Sequence, residues 1–140
     1  MTQEEKQLLI KDLYARLPYG VKFTLSDDSI YTMKGIDLIV TDEGDWEYAV
    51  AAKGIEPIEI EYVKPYLRPM SSMTEKEKKE VRELGVCDDG AFHNDVYDTG
   101  IFMEEAFTVL SWLLERHFDI NYLIRKGLAL EAPEGMYKTK

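Results

Sequence analysis

The stretch IFMEEAFTVLSWLLERHFDINYLIRKGLALEA, residues 101–132, holds the densest apolar content of a 140-residue chain and its clearest stop signals. Phe102, Ala106, Val109 and Leu113 recur at helical spacing, and Phe107, Leu110 and Leu114 line the adjoining side. With Met103 and Trp112 the apolar surface runs nearly all round, which predicts a long helix buried on more than one side. Asp98 or Thr99 is placed to cap its start. Glu104 and Glu105 in the first turn, and Arg116 and His117 in the last, suit the helix dipole. HFD at 117–119 breaks the pattern. Asp119 predicts the cap of a short helix over 120–126 that Gly127 ends, with Leu128 set for the apolar contact that accompanies such ends. Residues from Pro133 onward read as a loose tail. The stretch has the marks of a keel that holds the fold.

Working outward, Thr2 and Glu5 form a capping-box pattern ahead of Leu9, Leu13 and Leu17, which predicts a helix over 3–16 ended by Pro18 and Gly20. From Val21 the period becomes two. Val21 to Leu25, Ile30 to Lys34, Ile36 to Val40, Trp46 to Ala51 and Ile58 to Tyr62 read as strands. Asp27-Asp28-Ser29, a bend or bulge at Gly35, the loop 42–45 and Lys53-Gly54 separate them. Five short strands at this spacing predict a small antiparallel sheet or an SH3-like barrel. VKPYLRPMSSM, residues 63–73, reads as a Pro-rich connector, because Pro65 and Pro69 cannot donate to a ladder. Thr74 and Glu77 repeat the capping box. The helix that follows runs toward Gly85 with only Met73, Val81 and Leu84 as an apolar edge and a favourable Glu75–Lys79 pair. Residues 86–100 fit a short hairpin or an irregular loop. The expectation is a single α+β domain over 1–140: an N-terminal helix and the small sheet or barrel over 1–70, and a mainly helical half over 71–140.

Three phrases add a resemblance: LPYGV at 17–21, KPYLRPMSSMTEKEKKE at 64–80 and HFDINYLIRKGLALEAPEGMY at 117–137. Together they resemble a group of short uncharacterised proteins of gut anaerobic bacteria and their phages or other mobile elements. The likeness covers roughly half the chain and leaves out the strand region and 85–100. It implies a bacterial or phage cytoplasmic origin and transfers no catalytic residue.

The net charge of −10 is spread evenly, with 8 basic and 13 acidic residues in 1–70 and 9 and 14 in 71–140. That sign repels phosphate backbones and anionic membranes. Cys87 is the sole cysteine, which rules out a disulfide within the chain and suits a reducing, cytoplasmic compartment. The acidic, amphipathic N-terminus does not read as a signal peptide, and no apolar run approaches a membrane span.

No motif assigns a catalytic, cofactor or metal residue. His117 and Asp119 have the composition of an acid–base pair, yet a helix-end histidine and a capping aspartate explain both. Asp88, Asp89, His93, Asp95 and Asp98 are oxygen-rich but lack EF-hand spacing, so they read as solvated turn residues rather than a Ca²⁺ or Mg²⁺ loop. Cys87 beside two aspartates lies in an electronegative place that raises its pKa, so it reads as packing. Aromatic residues concentrate on the strands. The leading expectation is therefore a non-enzymatic module that binds another protein through Trp46, Tyr48, Tyr62, Lys64, Tyr66 and Arg68. An acidic mimic of DNA or a barrel-type nucleic-acid binder is the alternative, and a metal-binding 88–98 loop is a third reading.

Overall fold

The computed structural model describes residues 1–84 and 100–137, with side chains described from 106 onward in the second span. The expected cap at Asp98 or Thr99, the helix end at Gly85, Cys87 and the acidic 88–98 cluster lie outside the described residues.

Helix α1, Gln3–Ala15, starts where its capping box predicts: the Glu5 amide donates to Thr2 Oγ1 at 3.0 Å and the Thr2 amide to Glu5 Oε1 at 2.8 Å. Leu9, Ile10 and Leu13 are buried. A 3-10 turn at Leu17–Tyr19 and the left-handed Gly20 (φ 64°) deliver the chain into β1, Lys22–Thr24. The turn Asp27-Asp28-Ser29 leads to β2, Ile30–Val40. Two strands were expected across this span, and one is found. Its register shifts between Met33 and Gly35, so the glycine is a bulge inside a continuous strand. The extra residue flips the alternation: Tyr31 and Met33 meet the core before it and Ile36 after it. Strand β3, Trp46–Ala52, returns antiparallel, and β4 is only Ile58–Glu59. The fifth predicted strand stops there because Ile60 turns into the core, fully buried, through a 3-10 turn at Ile60–Tyr62.

The Pro-rich connector is itself a strand. β5, Lys64–Leu67, pairs with β1 through Phe23↔Pro65 and Thr24↔Lys64. On its other side β6, Leu130–Glu131, pairs in parallel from Tyr66 onward, after the proline, so no rung of that ladder is asked of Pro65. Among the described residues the sheet has six strands in the order β4-β3-β2-β1-β5-β6. Two expectations are corrected: the sheet is mixed rather than five antiparallel strands, and it is open rather than an SH3-like barrel. Its outermost members, β4 and β6, are two-residue strands at opposite edges, with no rung joining them.

Helix α2, Glu75–Glu83, has its own capping box at Thr74 and Glu77 and buries Val81 on one narrow side. Helix α3 is Gly100–Glu115. Val109, Trp112, Leu113 and Leu114 are buried, whereas Phe107 is 72% exposed and Leu110 is also exposed. Among the described residues α3 is thus covered on one side, not nearly all round as its composition predicts. Two apolar clusters result. One joins α1 to the sheet around Phe23, Met33, Val50 and Leu67. The other joins α2 and α3 through Val81, Val109, Trp112, Leu113 and Phe118.

Candidate functional site

The helix break at 117–119 was the first candidate for chemistry, and the structure shows what holds it. The Phe118 amide donates to Leu113 O and the His117 amide to Leu114 O, both at 3.0 Å. This paired closure ends α3 with His117 in the left-handed region (φ 66°), a position that glycine usually takes. The Asp119 carboxylate accepts from the Leu123 amide at 2.8 Å and the Ile124 amide at 3.1 Å. It is fully used as a cap and does not orient the imidazole. The expected helix over 120–126 is replaced by this capped turn. Gly127 (φ 76°) closes it as expected, with Leu128 N donating to Leu123 O at 2.9 Å.

His117 stacks on Tyr137 with ring centroids 3.8 Å apart, and its buried Nδ1 has no hydrogen-bond partner. Burial, with the nearby positive charges of Arg16, Arg68 and Lys22, pushes its pKa down to about 4. The imidazole is therefore neutral at physiological pH, so it does not serve as a cation at the helix end. Tyr137 hydroxyl accepts from the Lys22 amide and donates to Tyr66 O, both at 2.8 Å. Burial raises its pKa to about 12. Residues 133–137 are consequently anchored through Tyr137, not a loose tail.

Arg68 belongs to the same knot. Its guanidinium makes two 2.7 Å bonds to Glu77 and lies 4.2 Å from the centre of the Phe118 ring. Burial raises the Glu77 carboxyl, but the bonds from Arg68 and Thr74 outweigh it and hold the pKa below the usual value. The Arg68 backbone bonds His117 O and receives the Asp119 amide, each at 2.8 Å. A buried pair completes the knot: Arg16 Nε donates to Asp12 Oδ2 at 2.7 Å, Arg16 Nη2 to Phe118 O at 2.7 Å, and Asn121 Nδ2 to Asp12 Oδ1 at 2.9 Å. Sequence reasoning missed Asp12 and Arg16. Their signal was present: both fall beside Leu9 and Leu13 on the face of α1 that turns inward.

The six residues expected to bind a partner are not one patch. Lys64 and Tyr66 lie on β5, with Arg68 directly after it, three strands from β3, or about 14 Å at ~4.8 Å per strand. Lys64 is exposed, Tyr66 half-buried with its carbonyl held by Tyr137, and Arg68 is committed to Glu77. Trp46, Tyr48 and Tyr62 are elsewhere, at the outer end of the β2–β3 hairpin and the adjoining sheet edge.

That outer end is a two-stranded ribbon. β1 pairs β2 only through Thr32, and β4 pairs β3 only at Ala49 and Val50, so among the described residues 36–40 and 46–48 have no strand partner but each other. Strand alternation places Ile36, Leu38 and Val40 of β2, and Trp46, Tyr48 and Val50 of β3, on one face. Val50 is in the core and Tyr48 packs edge-on against Tyr14 of α1 at 6.3 Å. Beyond α1 the same face continues uncovered: Leu38 is 57%, Val40 54% and Trp46 70% exposed, with Val40 and Trp46 directly opposite.

The β3–β4 edge beside this face is acidic, although Glu59, opposite Ala49, and Glu47 project from its reverse side. Burial, then the charges of Glu61, Glu47 and Asp42, raise the Glu59 carboxyl above its usual pKa. Glu61 and Glu59 first, and Glu43 more weakly, raise the hydroxyl of the exposed Tyr62. Lys6 of α1 answers them. Lys6 Nζ bonds Glu47 at 2.9 Å, and that bond, with the Glu61 and Glu59 charges, raises its pKa. Glu47 Oε1 also accepts the Tyr48 amide at 3.0 Å, which closes the backbone edge of β3 at that point.

Among the described residues, no group of three or more His, Cys, Asp or Glu side chains is arranged to hold a metal ion, and no helix is long and apolar enough to cross a membrane. Comparison of the chain with protein-family models, with curated proteins and with solved structures finds no match.

Proposed function

We propose that this protein is a non-enzymatic interaction module of the cytoplasm whose docking surface is the outer face of the β2–β3 hairpin. The observation that carries the reading is the run of exposed Leu38, Val40 and Trp46 continuing the face that the core uses. A two-stranded ribbon is marginal in water by itself, and large apolar side chains gathered on one face mark a contact site rather than scattered surface residues. Tryptophan and tyrosine are also the side chains on which binding energy concentrates. The knot around Arg68, Asp12 and Asp119 supports a structural role for these charged residues, because their side chains are engaged in capping and pairing.

The test compares the native protein with Trp46→Ala/Val40→Thr as baits in a native lysate of the source cells. Partners retained by the native bait and released by the double variant, at equal thermal stability, support the reading. Identical capture profiles refute it. Mimicry of DNA is favoured by one observation, the convergence of Asp42, Glu43, Glu47, Glu59 and Glu61. It differs in its demand: capture would survive Trp46→Ala and fail on Glu59→Lys/Glu61→Lys.

A further inference from the structure

We infer that the occupant of the hairpin face is a segment of another protein that carries lysine or arginine beside apolar side chains. The inference rests on the hairpin being the docking surface and names what that surface selects.

The apolar strip of Leu38, Val40 and Trp46 ends on both its open sides in carboxylates. Asp42, Glu43 and Asp45 occupy the hairpin tip, all exposed, and Glu59 and Glu61 flank the β4 side. Lys6 is the cation seated among them, and Glu47 already engages it. An approaching ammonium or guanidinium group therefore meets a group of carboxylates with the exposed Tyr62 among them and the exposed Trp46 on the adjoining hairpin face, a combination that attracts cations.

The same features select against the other occupants. A second copy carries −10 charges of its own and would bring acidic rims together. Nucleic acid and anionic membrane are repelled by the rim. On the acidic side, backbone addition at Tyr48 is blocked because Glu47 takes its amide. The basic segment there meets side chains rather than a ladder.

The experiment uses the full chain, ¹⁵N-labelled, with three peptide probes of one apolar pattern: leucine with lysine, leucine with glutamate, and leucine with serine. The expected result is saturable shifts of the 36–48 amides and Tyr62 with the lysine probe only. Affinity should fall about tenfold in Glu59→Lys/Glu61→Lys and again as salt is raised. Asp42→Lys/Glu43→Lys, confined to an exposed loop, gives an independent variant should the first pair disturb β4. Equal binding of the serine or glutamate probe at the hairpin overturns the cationic partner while leaving the docking face standing. Absence of hairpin shifts with every probe also overturns it, and the lysate comparison with Trp46→Ala/Val40→Thr then decides separately whether the face docks anything. Concentration-dependent dimerisation abolished by Trp46→Ala overturns the inference in favour of a second copy.

Discussion

Acidifying the protein from pH 7.5 to 5 should destabilise it through His117, the one histidine among the described residues. The imidazole is 8% exposed, stacked on Tyr137, and faces the positive charges of Arg16, Arg68 and Lys22. Its pKa of about 4 in the folded chain lies below the ordinary 6.5 that it regains on unfolding. Between those values the unfolded chain binds more protons, so stability rises with pH. The contribution is complete above pH 6.5, is lost progressively as pH falls toward 4, and is constant below. At pH 5 the loss is about 2 kcal/mol, and at the acid limit about 3 kcal/mol. Glu5, Glu47 and Glu77 have lowered values and add their own losses only below the ordinary carboxylate range. Urea unfolding at half-unit pH steps measures the effect. His117→Asn keeps a residue that tolerates the left-handed conformation and removes the titration, so its profile should be flat from pH 7.5 to 5. Direct titration of the imidazole by NMR, with His93 replaced by Gln to leave a single ring, should give a midpoint near 4. A midpoint near 6.5, or a native profile as flat as that of the variant, refutes the packing described for this residue.

Other perturbations separate the knot from the hairpin. Asp12→Ala strands the buried Arg16 guanidinium and should cost about 3–5 kcal/mol, whereas Asp12→Leu/Arg16→Met together should cost far less; urea midpoints decide. Tyr137→Phe leaves the Lys22 amide and Tyr66 carbonyl without their partner and should cost about 1–3 kcal/mol. It should also reduce the loss of stability that the native protein shows as pH rises from 10 toward 12, since the folded chain retains that proton longer. Gly127→Ala has open space for a methyl group but a φ of 76°, so thermal unfolding should show a penalty of about 1 kcal/mol from conformation alone. Trp46→Ala/Val40→Thr should change stability by less than about 1 kcal/mol, since both side chains are exposed.

The legible parts of this fold are those set by neighbours in sequence. Both capping boxes, the bulge at Gly35 and the closure at Gly127 each depend on side chains within a few positions, and they lie where spacing puts them. Long-range pairing was hidden. β5 sits in a segment whose prolines argue against a ladder, and it forms because β6 begins pairing one residue beyond Pro65. Merging of two expected strands into β2 follows from β3 staying paired across the bulge, which no local signal carries.

The site divides the same way. Trp46 and Tyr62 are exposed, but which aromatics share a face depends on where β1 and β4 stop. Arg68 looked free because its neighbours in sequence are not acidic. Its partner, Glu77, is also a capping residue, brought back by the turn at Met70–Ser72. His117 read as a helix-end cation from position alone, and only burial and the facing charges of Arg16, Arg68 and Lys22 show why it is neutral.

The central claim is that the face bearing Trp46 is open and waits for a cationic partner. A single-tryptophan protein, Trp112→Phe, measures this through the fluorescence of Trp46. Red-shifted emission, readily quenched by acrylamide in the free protein and moving to the blue with protection from quencher as the leucine–lysine peptide is added, is the predicted result. Blue, protected emission in the free protein, unchanged by the peptide, would contradict it.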